Sequence, residues 1–150
     1  MLTDELSQVS LKTMRLIHYG ADTYNPDLFE DISDKLWIKP AGGLWTSPVD
    51  SAYGWKDWCT AEQFNLENLA QSFEVEFTGQ VFTIDSVTDM HQLPWIDLGE
   101  YINCISFQAL VACGVDAVHL TERGESDTRF AGPRGHLSRP RDLYGWDCET

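Results

Sequence analysis

Apolar and polar side chains alternate most strictly in the middle of the chain. Residues 73–77 read Phe-Glu-Val-Glu-Phe, a period of two that predicts a strand with one buried face and two glutamates in solvent. Gly79 separates this run from a second one, Val-Phe-Thr-Ile at residues 81–84. Because a glycine between two strand-like runs is typical of a turn, we expect the two runs to form a β-hairpin.

Three further segments carry strand patterns. Residues 14–19 alternate loosely and end at Gly20, which places His18 at the carboxyl end of a strand. Residues 44–46 form a short apolar run, and residues 115–120 form another. We expect these strands and the two central runs to belong to one domain.

Helical signals occupy much of the remaining chain. The predicted helices are residues 3–13, 25–37, 60–69 and 97–114, together with one that starts after Ser47. The pattern is strongest over 97–114, because Asp97 and Glu100 form a capping box and Gly114 ends the apolar stripe. Residues 121–141, rich in Gly, Arg, Ser and Pro, are predicted to be a long loop.

Strands interrupted by helices, without regular alternation of the two, indicate an α+β fold. The 150 residues, 43% of them hydrophobic, suffice for one domain with a substantial core. We therefore expect a single domain over residues 1–150, with a curved mixed or antiparallel sheet and packed helices. There is no run of about 18 apolar residues and no basic start typical of a signal peptide, so we expect a soluble cytoplasmic protein.

The four cysteines form no Cys-x-x-Cys pair, and the histidines have no metal-ligand spacing, so we expect reduced thiols and no metal. With 10 basic against 24 acidic residues, the net charge is -14. Such a charge repels nucleic acid and anionic membranes, so we expect neither as a partner. The exception is the basic cluster from Arg129 to Arg141, which either solubilises its loop or contacts an acidic acceptor.

The stretch from Pro40 to Trp55 combines turn, strand and helix-start signals. Paired glycines at 42 and 43 let the backbone turn and approach a ligand closely. Ser47 precedes a proline and lies three residues before Asp50, which predicts a helix N-cap there. The free backbone amides of that helix would face the end of the preceding strand, which favours phosphate binding.

Gly43-Leu44-Trp45-Thr46-Ser47, followed by Ser51-Ala52-Tyr53, resembles the central motif of the ADP-ribosyltransferase superfamily. Residues 16–20, Leu-Ile-His-Tyr-Gly, resemble the family's first-strand motif, and residues 146–149, Trp-Asp-Cys-Glu, resemble its late glutamate motif. The three pieces follow the family's order and span nearly the whole chain. The resemblance implies the family's fold and transfer of ADP-ribose from NAD to a macromolecular acceptor, which we expect to be a protein.

The resemblance also implies a set of NAD-binding residues. His18 would hydrogen-bond the adenosine ribose, and Trp45 and Tyr53 would stack on the nicotinamide ring. The residues expected to bind NAD are His18, Tyr19, Gly43, Trp45 and Ser47. Four of these site residues also have a structural alternative: His18 with its hydrogen bonds satisfied at a strand end, Trp45 and Tyr53 as members of the core, and Ser47 as a helix cap alone.

Cleavage of the bond between ribose and nicotinamide passes through an oxocarbenium-like transition state, which a carboxylate stabilises. The resemblance assigns this role to Glu149, with Tyr53 as its catalytic partner and Asp147 facing the acceptor. Asp147 departs from the residue usual there, and Glu149 is penultimate in a family whose glutamate continues into a strand. The alternative carboxylates are Glu122, Glu125 and Asp127.

A different class of function fits the same composition. A small protein of net charge -14 is suited to act as a non-catalytic inhibitor that presents an acidic surface to a nucleic-acid-binding partner. Phage counter-defence proteins often have this size and charge, and a phage effector enzyme fits as well. Binding and consumption of NAD separate the enzyme from the acidic binding protein.

Overall fold

Two long antiparallel strands form the centre of the structure. The computed structural model describes residues 8–34, 42–51, 53–97 and 103–128. Strand β1 (Val9–Tyr19) pairs with β3 (Ser72–Ile84) in a register that runs from Val9 opposite Phe82 to Tyr19 opposite Ser72. The short β2 (Ser47–Pro48) is antiparallel to β1, and β6 (Ala117–Leu120) is parallel to β3. The resulting sheet is mixed, with the order β2-β1-β3-β6.

The remaining elements are short. A second sheet consists of β4 (Trp95–Asp97) and β5 (Asn103–Ile105), which are antiparallel. The helices are α1 (Trp55–Glu62), α2 (Val87–Met90), α3 (Phe107–Ala112) and α4 (Glu122–Thr128), with 3-10 turns at Pro26–Leu28 and Leu66–Ala70. Among the described residues, no helix is long and apolar enough to cross a membrane.

The hydrophobic core lies at one end of the sheet, where β3, β6, α2, α3 and β5 meet. Its fully buried members include Phe82, Ile84, Met90, Ile105, Leu110 and Leu120, and Val9, Ile32 and Trp45 pack against it. At the other end, Glu74 and Glu76 of β3 are exposed, as their alternation with apolar residues predicts. The predicted α+β domain with a curved mixed sheet is therefore confirmed at this level of detail.

The predicted hairpin at Gly79 is wrong, because β3 continues through that residue without a turn. Gly79 instead allows the Asp116 side chain to lie close to the backbone of β3. A side chain there would lie 2.7 Å from the Oδ2 atom of Asp116, the atom that accepts a hydrogen bond from the Gln80 amide at 2.7 Å. Because residue 79 has no side chain, the Asp116 carboxylate, from the segment before β6, can reach the backbone of β3.

The predicted helix over residues 3–13 is wrong from Val9 onwards, where β1 begins, and residues 1–7 lie outside the described residues. Val9 packs against the core, and Lys12 donates to the Thr83 hydroxyl at 2.9 Å. Pairing of β1 with residues 72–82 of β3 outweighs the weak helical pattern, since tertiary contacts override local propensity. The strand predicted over residues 14–19 is the second half of β1.

The other helix predictions are correct only in part. Asn25 does cap a turn, accepting from the Asp27 amide at 3.1 Å, but within residues 25–34 the 3-10 turn Pro26–Leu28 replaces the predicted helix, and residues 35–37 lie outside the described residues. Within 97–114, residues 103–105 form a strand and the helix starts after Ser106, although it ends near Gly114 as predicted. The helix predicted over 60–69 is replaced by the end of α1 and the second 3-10 turn, and the predicted loop after residue 121 begins with α4.

Candidate functional site

The His18 ring is held by the central stretch of the sequence. Its Nδ1 atom lies 2.7 Å from the carbonyl oxygen of Trp45, although the two residues are 27 positions apart. The β1–β2 pairing, which places Ser47 opposite Ile17, brings the two segments to the same sheet edge. The first-strand histidine and the Gly43–Ser47 stretch are therefore in direct contact.

Ser47 does not begin a helix, so the predicted N-cap is wrong in its position. The residue lies in β2 and is 2% exposed. Its hydroxyl oxygen accepts a hydrogen bond at 3.0 Å from the amide of Trp55, the first residue of α1. Ser47 thus satisfies a first-turn amide from outside the helix, whereas the local pattern Ser-Pro-x-Asp placed the N-cap seven residues too early, at Ser47 instead of Gly54.

The two glycines of the turn are required by the chain beside them. Gly42 and Gly43 have φ angles of +78° and +75°, which L-residues adopt only with strain. A side chain at Gly42 would also collide with the backbone carbonyl of Asp31. The Gly43 amide donates to the Glu30 carbonyl at 3.0 Å, so the turn is fastened to that segment.

Trp45 is half-buried and lines a cavity of about 170 Å³, which we call the Trp45 cavity. Gly43, Ile32, Phe107 and Val118 are among its other walls. This volume is below the roughly 300–1,000 Å³ typical of sites for drug-sized ligands, so the cavity has room for a ring-sized group at most. Tyr53 is not among the residues that line it.

Tyr53 lies next to α4 and does not share a cavity wall with Trp45. Its side chain is 40% exposed, and its amide donates to the Glu122 Oε1 atom at 3.2 Å. Glu122 in turn lines a second cavity of about 300 Å³, the Glu122 cavity, which it shares with Asp50, Ser51, His119 and Arg123 among others. Glu122, one of the three alternative carboxylates, therefore contacts the backbone of the central stretch.

Tyr19 follows His18 on β1, and neighbouring residues of a strand face opposite sides of a sheet. Its surroundings are accordingly different. Burial raises the pKa of the Tyr19 phenol above its ordinary value of 10.0, and the negative charges of Asp57 and Glu74 raise that pKa further. The ring therefore stays uncharged well into the alkaline range.

Several predicted site residues lie outside the described residues. These are Glu149, Asp147 and the basic cluster from Arg129 to Arg141. Their roles stay predictions. Within the described residues, no group of three or more His, Cys, Asp and Glu side chains is placed to hold a metal ion.

The structure adds aromatic neighbours of His18 that the sequence reading missed. Phe73 lies directly opposite His18 in the β1–β3 register, with ring centroids 5.1 Å apart. Tyr24 and Phe29 extend this contact. The sequence analysis paired residues 73–77 with 81–84 in a hairpin. It therefore did not predict the pairing of β1 with β3, which places Phe73 opposite His18.

Comparisons with protein-family models, with curated proteins and with solved structures find no match to this chain. The likeness to ADP-ribosyltransferases accordingly depends on the three short motifs alone. What the structure contributes is the position of the residues in two of them.

Proposed function

We propose that the protein is an NAD-dependent ADP-ribosyltransferase that modifies a macromolecular acceptor, expected to be a protein. The observation that carries the proposal is the 2.7 Å contact between His18 Nδ1 and the Trp45 carbonyl. Two of the three motifs that resemble the family converge through that contact. Nothing in their separation along the chain requires them to meet, so the contact supports a common site.

The contact also determines what the histidine can do. A carbonyl oxygen only accepts hydrogen bonds, so Nδ1 is the donor and carries the proton. In the neutral imidazole the remaining nitrogen, Nε2, is then an acceptor. An acceptor held at the end of a strand suits a ribose hydroxyl, which is the role that the resemblance gives to His18.

The reaction requires a held leaving group and a carboxylate. Trp45 in its cavity and Tyr53 beside Glu122 each offer an aromatic face, and stacking of either ring on the cationic nicotinamide would hold that group until its charge is lost. Glu149 would stabilise the positive charge that develops on the ribose. If another carboxylate serves instead, Glu122 is the strongest alternative because it accepts from the Tyr53 amide.

The test measures nicotinamide release and transfer of labelled ADP-ribose from NAD to proteins of a lysate. His18→Asn retains a donor near the Nδ1 position and loses the Nε2 acceptor, so we expect KM for NAD to rise about tenfold, the scale of one lost hydrogen bond, with a smaller change in kcat. His91→Asn, at an exposed histidine after α2, is the matched control and should behave as wild type.

Glu149→Gln keeps the shape of the side chain and removes its charge, so turnover should fall by about 100-fold or more while NAD binding persists. If Glu149→Gln keeps full turnover and Glu122→Gln loses it, the catalytic carboxylate is Glu122 and not Glu149. If the wild-type protein gives no calorimetric or fluorescence signal with millimolar NAD, the proposed enzyme activity is rejected.

A second candidate is the acidic binding protein, which the distribution of charge favours. The described ranges contain 18 of the acidic residues and only Lys12, Arg15, Lys56 and Arg123 among the basic ones. Such a body is complementary to a basic surface of a nucleic-acid-binding protein. Capture of such a partner without any NAD consumption would support this candidate over the enzyme.

A further inference from the structure

Three rings in and just after α1 pack against one another, and we call them the α1 ring cluster: Trp55, Trp58 and Phe64. Trp55 and Trp58 are three positions apart on the helix, a spacing that places both indoles on one face. Their rings are stacked, with centroids 5.2 Å apart and planes at 13°. Phe64 meets both edge to face, at 6.2 Å from Trp55 and 5.6 Å from Trp58. The contacts fix the three rings relative to one another.

The backbone turns sharply on both sides of Phe64. In the part of the chain that the structure describes, the residues other than glycine with positive φ angles are Gln63, at 54°, and Asn65, at 48°. Strain of this kind is common at functional sites. The Phe64 amide donates to the Cys59 carbonyl at 3.0 Å, which fastens the turn to α1. The turn thus holds Phe64 against the indoles although the helix has ended.

The α1 ring cluster is open to solvent. The two indoles are half-buried, the Phe64 side chain is 45% exposed, and Leu66, two residues further on, is 41% exposed. An exposed apolar patch that is contiguous and rimmed by polar residues commonly marks an interaction site, whereas single exposed apolar residues do not. The ring contacts make this patch contiguous, so it has the character of a docking surface.

The charges beside the cluster indicate which partner fits it. Residues 55–68 contain three exposed carboxylates, Asp57, Glu62 and Glu67, and one basic residue, Lys56. The net charge of -14 repels a second copy of the chain, nucleic acid and anionic membranes. A purely apolar partner would take the carboxylates out of water without compensation. A cationic polypeptide segment is therefore the complementary occupant.

Arginine matches both features of this surface. Its guanidinium is planar and stacks on indole faces, and it forms paired hydrogen bonds with carboxylates. We propose that the α1 ring cluster, together with Glu62 and Glu67, docks an arginine-containing segment of a partner protein. This surface involves no NAD, so the inference goes beyond the enzyme activity proposed above and does not depend on it.

The probes are fluorescently labelled nona-arginine and nona-lysine peptides, whose affinities are measured by anisotropy. Wild-type protein should bind nona-arginine about threefold more tightly, the scale of one exposed cation–π contact. Trp58→Leu keeps an apolar side chain and removes the indole face. It should lower nona-arginine affinity about threefold and nona-lysine affinity less, because an ammonium group has no planar face to stack. Tyr24→Leu is the matched control, since Tyr24 is an exposed ring near His18 and not in this cluster, and it should bind both peptides as wild type does.

A pair of double variants tests the carboxylates. Glu62→Gln with Glu67→Gln removes two exposed charges beside the cluster, and Asp22→Asn with Glu30→Gln removes two exposed charges from the segment after β1. Both double variants change the net charge equally. The first should weaken the binding of both peptides about fivefold, the scale of two exposed ion pairs, and the second about twofold or less.

Circular dichroism checks that each variant is folded. If Trp58→Leu does not fold, Phe64→Leu supplies the test at a more exposed ring and should lower nona-arginine affinity about twofold. Unchanged nona-arginine binding in a folded ring variant rejects the inference, as does wild-type protein that binds neither peptide. Equal losses in the two double variants also reject it, because the whole acidic protein would then attract the peptides. Each of these results leaves the proposed NAD-dependent activity standing.

Discussion

Adjacent residues of one strand acquire different chemistry when their side chains face different surroundings. His18 is oriented by a carbonyl and by aromatic rings, whereas Tyr19 is partly buried near the carboxylates of Asp57 and Glu74. The sequence motif Leu-Ile-His-Tyr-Gly contains both residues but does not reveal this difference. The two side chains therefore require separate tests, even though the family resemblance assigns both to NAD binding.

Tyr19 gives a pH-dependent prediction. Its folded-state pKa is raised above 10.0 by burial and by Asp57 and Glu74, so the unfolded chain loses the phenolic proton first as pH rises. The favourable contribution of this group is complete below about pH 10, the unfolded pKa, and is lost as pH rises through the folded pKa. We expect Tyr19→Phe to lose less unfolding free energy than wild type between pH 9 and pH 11 in urea titrations. An absorbance titration of the tyrosines should show one fewer late-titrating phenol, and identical alkaline profiles for both proteins would contradict the prediction.

Glycine shows what can be recognised from single residues and what cannot. The pair at 42 and 43 correctly indicates a turn with positive φ angles. Its cause, the backbone of residues 30 and 31 lying against the turn, is a tertiary contact that no local pattern contains. The local pattern at Gly79 is typical of a turn, but this glycine is also explained by a tertiary contact, because the Asp116 carboxylate beside it comes from a distant segment.

At the scale of elements, alternation located the strands better than periodicity located the helices. The runs at 73–77, 81–84 and 115–120 do indicate extended backbone, but they do not show that the first two form one strand, β3, and the strand expected over 44–46 is replaced by β2 at Ser47–Pro48. The start of α3 differs from the prediction because its N-cap is Ser106 and not Asp97, which lies in β4, and Ser106 is itself held by Asp34, 72 positions away. The Ser106 hydroxyl donates to Asp34 Oδ2 at 2.9 Å and accepts from the Ala109 amide at 3.2 Å, while Asp34 Oδ1 accepts from the Gln108 amide at 3.1 Å.

This shared cap predicts coupling between two distant residues. Ser106→Ala should lower the free energy of unfolding by about 1 kcal/mol, the usual cost of losing an N-cap side chain. Because Asp34 and Ser106 satisfy amides of the same helix and bond each other, the double variant with Asp34→Ala should be non-additive by at least about 0.5 kcal/mol. Denaturant unfolding measures both quantities.

The control for that cycle is Asp127→Ala, which removes the acceptor of the Val87 amide on another helix. Asp127 and Ser106 have no hydrogen-bond partner in common among the described residues, so their effects should add within about 0.5 kcal/mol. Additive losses for Asp34 and Ser106 would show that the two caps act independently.

For the whole molecule, net charge is the property that the sequence reveals completely. With 24 acidic against 10 basic residues, the chain carries a net charge of -14. Repulsion within such a body is long-range and decreases as salt shortens the Debye length from about 10 Å at 0.1 M to about 3 Å at 1 M. Added salt should therefore strengthen the binding of an anionic ligand and weaken the binding of a cationic partner.

The two candidate functions consequently differ in their response to ionic strength. NAD carries a net negative charge at neutral pH, so the acidic body repels it, and KM should fall about threefold as salt rises from roughly 20 mM to 300 mM. A basic partner is attracted instead, and its affinity should decrease over the same range. Steady-state kinetics and calorimetry measure the two responses, with adenosine as an uncharged ligand whose affinity should barely change. A KM for NAD that rises with salt would mean that cationic groups dominate the electrostatic field at the site. The prediction that the net negative charge of the protein repels NAD would then be wrong.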